Sequence, residues 1–317
     1  MRFGIIGTNT ISTWFVEACS STDGRAQPVA VLSRDLDRAR AFADQYGIEH
    51  AVDDLDALIE LVDAVYIASP IYAHHDQAMR AIQAGRHVLV EKTMGASAAE
   101  VRALLETARA RGVVAMEAMR SVHTPYHRVI RDALPRLGAL RHAHIEKLQY
   151  SSRYDAFRNG EILNAFNPAL GNSALADIGV YCLEPALDWF GRPRGVSGAS
   201  VWLHNGVEAG GSMTLAYDGF VATLTWSKIA TGVAPSTIAG EDGALSFDDP
   251  SEPSYIRWHP RGGEPETLWE CPRGPLAGTM HHEVLDFVDQ TDAGALDERW
   301  ATLTLTARSL MDAHLAR

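Results

Sequence analysis

The sequence predicts an α/β protein of two parts: an N-terminal doubly wound Rossmann domain and a C-terminal α+β domain with a largely antiparallel open sheet. Three observations predict it. The chain has 317 residues, about twice the length usual for one domain. Its first 120 residues alternate short apolar runs with amphipathic stretches, the pattern of parallel strands and crossover helices. From residue 196 to 270, alternating segments are separated by turn residues, as in a meander.

In the first domain, residues 1–120, strands are predicted at Arg2–Ile6, Pro28–Ser33, Glu49–Val52, Ala64–Ala68, His87–Val90 and Val113–Ala118. Helices are predicted at Thr10–Ser20, Leu36–Tyr46, Leu55–Glu60, Ala73–Ala84 and Ala98–Arg111. Gly47, Gly85 and Gly112 follow three of these helices where a left-handed cap is favoured. The second domain, residues 121–317, opens with a helix at Pro125–Leu134, a strand at Ala139–Tyr150 and an irregular polar stretch, Ser151–Asn172. One long helix is expected at Ser173–Phe190, stopped by Gly191 and Pro193. Strands follow at Val196–Leu203, Gly211–Tyr217, Phe220–Lys228, Ser236–Ala239, Ala244–Phe247 and Tyr255–Trp258, with turns at Asp218-Gly219, Asp242-Gly243 and Gly262-Gly263. Helices at His282–Gln290 and Trp300–Leu315 end the chain and are placed to pack back on the first domain. An antiparallel sheet needs its own helices on one face only, so a homo-oligomer, dimer or tetramer, through the second domain is expected.

The 28 basic and 40 acidic side chains give a formal charge of −12, which opposes nucleic acid and anionic membranes as partners and leaves a small-molecule substrate. Cys19, Cys182 and Cys271 form neither a disulfide framework nor a Cys-x-x-Cys pair. The apolar opening Met1–Gly7 is too short for a signal-peptide core or a membrane span, so a cytoplasmic location is expected. His74-His75 and His281-His282 are adjacent pairs and no His-Glu-x-x-His occurs, so no metal is expected. Only three lysines occur, Lys92, Lys147 and Lys228, which makes each worth attention.

The first predicted strand runs into Gly7-Thr8-Asn9-Thr10-Ile11-Ser12 and a helix. A dinucleotide turn needs its first glycine for tightness, its second for close approach of a pyrophosphate and its third for packing. Gly7 matches outright. Asn9 takes the second place as a residue that tolerates left-handed dihedrals, and Ser12 is small enough for the third. Free N–H groups at the following helix start would meet phosphate. The second strand ends in Ser33-Arg34 with Arg38 one turn on, rather than in an acid. A hydroxyl and two guanidiniums suit a 2′-phosphate, so NADP is expected over NAD, with NAD possible; the bland alternative is a solvated helix start beside Asp35 and Asp37. Two further strand ends reach the ligand edge of such a sheet: Ala68-Ser69-Pro70 with His74, and Glu91-Lys92-Thr93. Lys92 beside an acid could serve a ligand or be a loop charge. Asp177 and Tyr181 are four apart and share a helix face, which Glu184 and Asp188 extend, while Leu175, Ile178, Cys182 and Leu183 face apolar surroundings. Such spacing also arises on ordinary solvated helices.

The ordered set G-I-I-G-T-N, A-V-L-S-R-D, Y-I-A-S-P-I-Y-A-H, V-L-V-E-K-T and L-A-D-I-G-V-Y resembles the Gfo/Idh/MocA oxidoreductases over nearly the whole chain. That family includes glucose-fructose oxidoreductase, inositol dehydrogenases and dihydrodiol dehydrogenase. The resemblance implies that Gly7, Thr8, Asn9, Thr10, Ile11, Ser33, Arg34, Arg38, Ala68, Ser69, Pro70, His74, Glu91 and Lys92 surround the cofactor. It implies that Lys92, in the place of the E-K-P lysine, acts at the substrate. Asp177 and Tyr181 match the acidic residue and acid/base of the helix motif, in the subset that carries Tyr where many members carry His. The sequence departs from the family pattern at Asn9 for Gly, Thr93 for Pro and Ile71 for Asn.

The reaction implied is hydride transfer between a nicotinamide and a secondary alcohol or hemiacetal carbon of a sugar, cyclic polyol or dihydrodiol, with Tyr181 handling the proton. A phenol with an ordinary pKa near 10 needs a neighbouring ammonium to act as base at neutral pH, and Lys92 is the expected one. Asp177 would orient both. Glycoside cleavage with transient use of NAD, and a non-catalytic NADP-binding regulator, are the alternatives. The stretch 151–172, with Arg153, Arg158, Asn164 and Asn167, is expected to line the substrate pocket.

Overall fold

A computed structural model describes residues 1–271 and 277–316. Its strands are β1 (Arg2–Ile6), β2 (Gln27–Leu32), β3 (His50–Val52), β4 (Ala64–Ile67), β5 (His87–Glu91), β6 (Ala115–Ala118), β7 (Leu140–Leu148), β8 (Gly195–Trp202), β9 (Glu208–Tyr217), β10 (Phe220–Ser227), β11 (Ser236–Gly240), β12 (Gly243–Phe247), β13 (Tyr255–Pro260) and β14 (Glu266–Glu270). Its helices are α1 (Thr10–Ser20), α2 (Leu36–Tyr46), α3 (Leu55–Leu61), α4 (Ile71–Gln83), α5 (Ala98–Arg111), α6 (Pro125–Ala133), α7 (Tyr154–Arg158), α8 (Val180–Phe190), α9 (Ala277–Asp292) and α10 (Glu298–Leu315). The chain divides into two units, Met1–Arg120 with Gly274–Arg308, and Ser121–Arg273 with Ser309–Arg317.

The first unit holds a six-stranded sheet in the order β3-β2-β1-β4-β5-β6, with every pairing parallel. All four residues of β4 and four of the five in β1 are buried, as a parallel sheet covered on both faces demands. Leu58, Ile82, Val101 and Leu104 belong to one core cluster, with the sheet residues Val65, Ile67, Val88 and Val90. Aromatic rings pack elsewhere in the unit: Phe15 stacks on Tyr66 at 3.9 Å, and Phe3 meets Phe15 at 5.3 Å and Phe287 of α9 at 5.7 Å. α9 packs on α1 and so completes the first unit from the far end of the chain. Local sequence fixes the helix ends. Asp35, Asp54 and Ser97 cap α2, α3 and α5 by accepting backbone N–H bonds, and Gly47 and Gly112 end α2 and α5 at φ 68° and 69°.

The second unit holds an eight-stranded sheet in the order β14-β13-β12-β11-β7-β10-β9-β8. It is antiparallel except at β7 and β10, which run parallel side by side. The expected meander therefore has a crossover in its middle. β14 has no alternating pattern, its five residues being exposed or half-exposed, and it escapes a reading by periodicity. α8 packs against β7 and β10. Among the described residues, no helix is long and apolar enough to cross a membrane, no His, Cys, Asp or Glu cluster is arranged to hold a metal ion, and the three cysteines are free thiols.

Phe287 is fully buried. Phe287→Ala should lower stability by about 3–5 kcal/mol, measured by chemical denaturation with a probe in the first unit; a change below about 1 kcal/mol would show that α9 is not part of that core.

Candidate active site

In the first unit, strand register aligns one edge of the sheet. Ile6 pairs with Leu32 and with Ile67, and Ile67 pairs with Val90, so Ser33, Gly7, Ala68 and Glu91 follow one another along the carboxyl ends of β2, β1, β4 and β5. The strand order reverses between β1 and β4, the switch point where open α/β sheets take ligands. Gly7 has φ +112°, and a Cβ there would lie 3.1 Å from the Ala68 carbonyl oxygen. The turn must therefore stay bare, as a closely approaching pyrophosphate requires. α1 starts directly after it, with its first-turn N–H groups facing this edge. These residues fit a dinucleotide.

Asn9 does not adopt the left-handed conformation expected from its glycine-like position. It is extended, with φ −97° and ψ 179°, and caps α1 by accepting the Ser12 N–H. Its Nδ2 donates to the Ala68 carbonyl at 2.7 Å, which ties the β1 turn to the end of β4. The amide thus replaces a glycine with a tether. Ser33, Arg34 and Arg38 stand at the end of β2; Arg34 is exposed, and Arg38 is exposed with its Nε 3.5 Å from Asp35.

Two of the residues expected around the cofactor bond to the protein itself. His74 is buried, with Nδ1 2.9 Å from the Thr93 carbonyl oxygen and Nε2 2.7 Å from that of Ser69. It braces the loops after β4 and β5, and burial keeps it below the usual histidine range. The Glu91 carboxylate accepts from Tyr66 Oη at 2.6 Å, so it is turned toward the aromatic layer. Burial raises Glu91 above the ordinary carboxylate range. Lys92 follows it at the edge itself, and the Lys92–Thr93 peptide bond is cis. Glu117 then fixes the segment by accepting the Met94 N–H at 2.7 Å.

Sequence reasoning missed Glu283 of α9. It is fully buried, neither carboxyl oxygen has a hydrogen-bond partner among the described residues, and burial together with the charge of Glu91 pushes it well above the ordinary range, against the pull of Arg120.

In the second unit, the expected single helix 173–190 is two pieces. Leu175–Gly179 forms a π-helical turn and α8 begins at Val180. Glu208 of β9 holds this start: one oxygen accepts the Leu175 N–H at 2.7 Å and the other accepts Trp226 Nε1 at 2.8 Å. Gly179 lets the turn press onto the sheet, since a Cβ there would lie 2.8 Å from the Trp226 ring. Pro185, inside α8, has no N–H for the carbonyl of Tyr181 four residues earlier. The helix is therefore irregular on both sides of Tyr181, a common feature of functional sites.

The expected acidic face is not one face. Asp188 is buried and pairs with His127 at 2.7 Å, and Glu184 is 1% exposed. Asp177 instead is 45% exposed and pairs with the buried Lys228 at 2.8 Å. Lys228 Nζ also donates to the Ala165 carbonyl at 3.2 Å and lies 5.3 Å from the Phe166 ring, joining Asp177 to the 151–172 stretch. Within Tyr181's own unit, Lys147 Nζ lies 5.5 Å from the centroid of its ring. In the 151–172 stretch, Arg158 pairs with Asp155, Asn167 Oδ1 accepts the Ala169 N–H, and the Asn164 carbonyl accepts from Asn172. Those groups shape the loop itself.

Residues 1–119 match the oxidoreductase family Gfo/Idh/MocA, NAD-binding Rossmann fold, and residues 133–246 match its C-terminal domain. The chain belongs to the Gfo/Idh/MocA family. Among its relatives is scyllo-inositol 2-dehydrogenase (NADP(+)) IolU of Bacillus subtilis, 39% identical over 98% of this chain and 95% of the relative. Another is dTDP-3,4-didehydro-2,6-dideoxy-alpha-D-glucose 3-reductase of Streptomyces violaceoruber, 34% identical over 86% of this chain and 78% of the relative. A 3-ketoreductase from Actinomadura kijaniata, solved in complex with NADP and TDP-benzene, superposes with a TM-score of 0.83 at 26% identity, covering 99% of this chain and 96% of that one.

A buried acid with a raised folded-state pKa keeps a proton that the unfolded chain releases, so its contribution to stability falls as pH climbs from the ordinary carboxyl value of about 4.3 toward the folded one. Glu283→Gln removes that dependence. The melting temperature of the variant relative to wild type should therefore rise as the pH climbs above the ordinary carboxyl range; a constant difference would refute the assignment.

Proposed function

We propose that this Gfo/Idh/MocA protein is an NADP-preferring oxidoreductase acting on a secondary alcohol or hemiacetal carbon of a sugar, cyclic polyol or dihydrodiol. The position of Lys92 carries the reading. Register puts it at the carboxyl edge of β5, two strands from the bare Gly7 turn, on the edge where a dinucleotide would lie. The names of the Bacillus, Streptomyces and Actinomadura relatives, an inositol dehydrogenase, a didehydro-sugar 3-reductase and a 3-ketoreductase, support a cyclic CH–OH or ketone substrate.

Gly7, Thr8, Asn9, Thr10 and Ile11 would hold the pyrophosphate, Ala68, Ser69 and Pro70 the neighbouring edge, and Ser33, Arg34 and Arg38 the 2′-phosphate. When bound, the nicotinamide supplies the hydride-transfer chemistry. Lys92 donates to the reacting oxygen of the substrate, and Tyr181 takes the hydroxyl proton in oxidation or returns it in reduction. Asp177, anchored by Lys228, orients the substrate hydroxyls. The 151–172 stretch would border the substrate, through groups left over from its internal bonds. A second copy of the chain would cover Val196, Val201 and Val221, which are exposed on β8 and β10.

Screening NADP and NAD with scyllo-inositol, other cyclic polyols, sugars and dihydrodiols for nicotinamide fluorescence tests the substrate class; turnover with none of them, or hydrolysis without net cofactor reduction, would reject it. Lys92→Ala and Tyr181→Phe should each lower kcat by about a hundredfold or more. Replacing Arg34 and Arg38 together by Ala should raise the KM for NADPH about tenfold or more and leave that for NADH nearly unchanged, because charge-assisted bonds to the extra phosphate are lost; equal effects on both cofactors would reject the 2′-phosphate assignment.

A further inference from the structure

Lys228 fastens separate segments of the second unit at one point. Its backbone N–H donates to the Ala209 carbonyl of β9 and its own carbonyl accepts the Ser151 N–H, each at 2.9 Å. Its Nζ lies 2.8 Å from Asp177 Oδ2, 3.2 Å from the Ala165 carbonyl oxygen and 5.3 Å from the Phe166 ring centroid. The chain from Ser151 to Phe166 therefore begins and ends on the same residue. It is packed largely by its own side chains: Phe157 and Phe166 are buried together with Val207, and Tyr154 and Ala165 lie against them. Asn205 gives the end a second hold by donating Nδ2 to the Phe166 carbonyl at 2.8 Å. A compact surface loop of about 6–16 residues, with its ends together and its interior filled by its own side chains, is a form that frequently serves function.

Stability alone does not account for this ammonium. The Lys228 side chain is 5% exposed, and taking a charged head group out of water is costly enough that apolar side chains of similar size often hold a fold as well or better. The Ser151 bond to the Lys228 backbone and the Asn205 amide already close the loop without the side chain. What the ammonium adds is direction at Asp177. A half-exposed carboxylate is otherwise free to exchange rotamers in water, whereas here one of its oxygens is held against a charge that is itself fixed to the Ala165 carbonyl. A lysine head group offers several donors on one nitrogen, so it serves the carboxylate and the loop end together. Displacing the loop end displaces the ammonium, and displacing the ammonium turns Asp177.

We propose that Lys228 is a positioning residue that makes the aim of Asp177 depend on the 151–166 loop, so that loop and carboxylate select the substrate's hydroxyl groups as one unit. The proposal rests on the reading of Asp177 as the group that orients those hydroxyls. An ionised carboxylate accepts hydrogen bonds and donates none, so it favours a substrate with a hydroxyl donor at that point. Asp177 stands four residues before Tyr181, which places this hydroxyl beside the reacting carbon: a 1,2-diol in oxidation, an α-hydroxy ketone in reduction. Lys228 touches no substrate in this role and moves no proton.

Hydrogen exchange in the full chain saturated with NADP reads the coupling without turnover. The N–H groups of Phe157, Glu161 and Phe166 bond to carbonyls inside the loop and report on it. Asp177→Asn removes the charge that holds the ammonium, and Lys228→Met removes the ammonium; each should speed exchange at these groups about tenfold or more, the scale of one lost charge-assisted bond. Lys228→Arg, which keeps the charge, should stay near wild type. Unchanged exchange in both of the first two variants would overturn the proposal. Reduction of 2-hydroxycyclohexanone and of cyclohexanone with NADPH then reads the aim. The ratio of their kcat/KM values should fall about tenfold in Lys228→Met and recover in Lys228→Arg. Lost fold or lost active enzyme scales both ketones alike and leaves this ratio unmoved. A ratio that falls in Asp177→Asn but not in Lys228→Met would make Lys228 a tether and overturn the proposal; a ratio that Asp177→Asn leaves unmoved would sink the reading of Asp177 itself.

Discussion

In the second unit the candidate residues depend on two ammonium–carboxylate pairs with largely buried lysines, Lys228–Asp177 and Lys147–Asp249. Taking an ammonium out of water costs several kcal/mol, and only close, well-directed acceptors return it. Each lysine here has them: carboxylate, carbonyl and hydroxyl oxygens from separate parts of the chain. That requirement couples distant segments. Lys228 cannot be satisfied unless Ala165 and Asp177 are both in place, and Lys147 cannot be unless the turn after β12 closes on β7. The pairs therefore contribute little net stability and a great deal of definition, fixing where Asp177 and Tyr181 stand.

The π turn follows from the same economy of polar groups. A helix start carries N–H groups without intrahelical partners, and here that start is buried against a sheet. Glu208, itself 1% exposed, accepts from Leu175 and from Trp226. The indole held in this way is the surface against which Gly179 fits. One carboxylate thus sets the helix start, the ring beneath it and the close approach that leaves room for an extra residue in the turn. In the first unit the corresponding constraint is the bare Gly7 turn, tied to the neighbouring strand end by the Asn9 amide, and backed by the layer that joins Phe15, Tyr66 and Glu91.

Much of the fold was legible because parallel strands buried on both faces give continuous apolar runs, such as Ala64-Val65-Tyr66-Ile67, and capping residues mark the helices between them. The strand ends named Lys92 and the Gly7 turn correctly as edge positions, because position at a carboxyl end is a local property. What a side chain does there is not local. Glu91 turns to Tyr66, His74 to two carbonyls, and Asn9 to Ala68, each decided by a residue at least five positions away and some sixty in the last case. The break in the helix before Val180 was hidden for the same reason, since Glu208 lies 33 residues from the N–H it accepts. Scarcity was a signal that could have been pressed further. With three lysines in 317 residues, two proved to be buried against the paired candidates Asp177 and Tyr181.

The net charge of −12 sharpens what the cofactor edge must accomplish. NADP is itself a strong anion, so the overall field of the protein opposes its approach, and attraction has to be built within a Debye length of about 8–10 Å. The first unit supplies this with backbone N–H groups at the start of α1, which carry no compensating carboxylate, since the first turn of α1 contains no acidic residue. At the end of β2 the opposite holds: Asp35 and Asp37 stand beside Arg34 and Arg38, and Asp35 is within 3.5 Å of Arg38. A guanidinium already shared with a carboxylate gains less from a phosphate than a free one. Of the two arginines proposed for a 2′-phosphate, Arg34, whose side chain is exposed and outside that pair, would be the stronger, and Ser33 beside it would supply a donor that repels no anion.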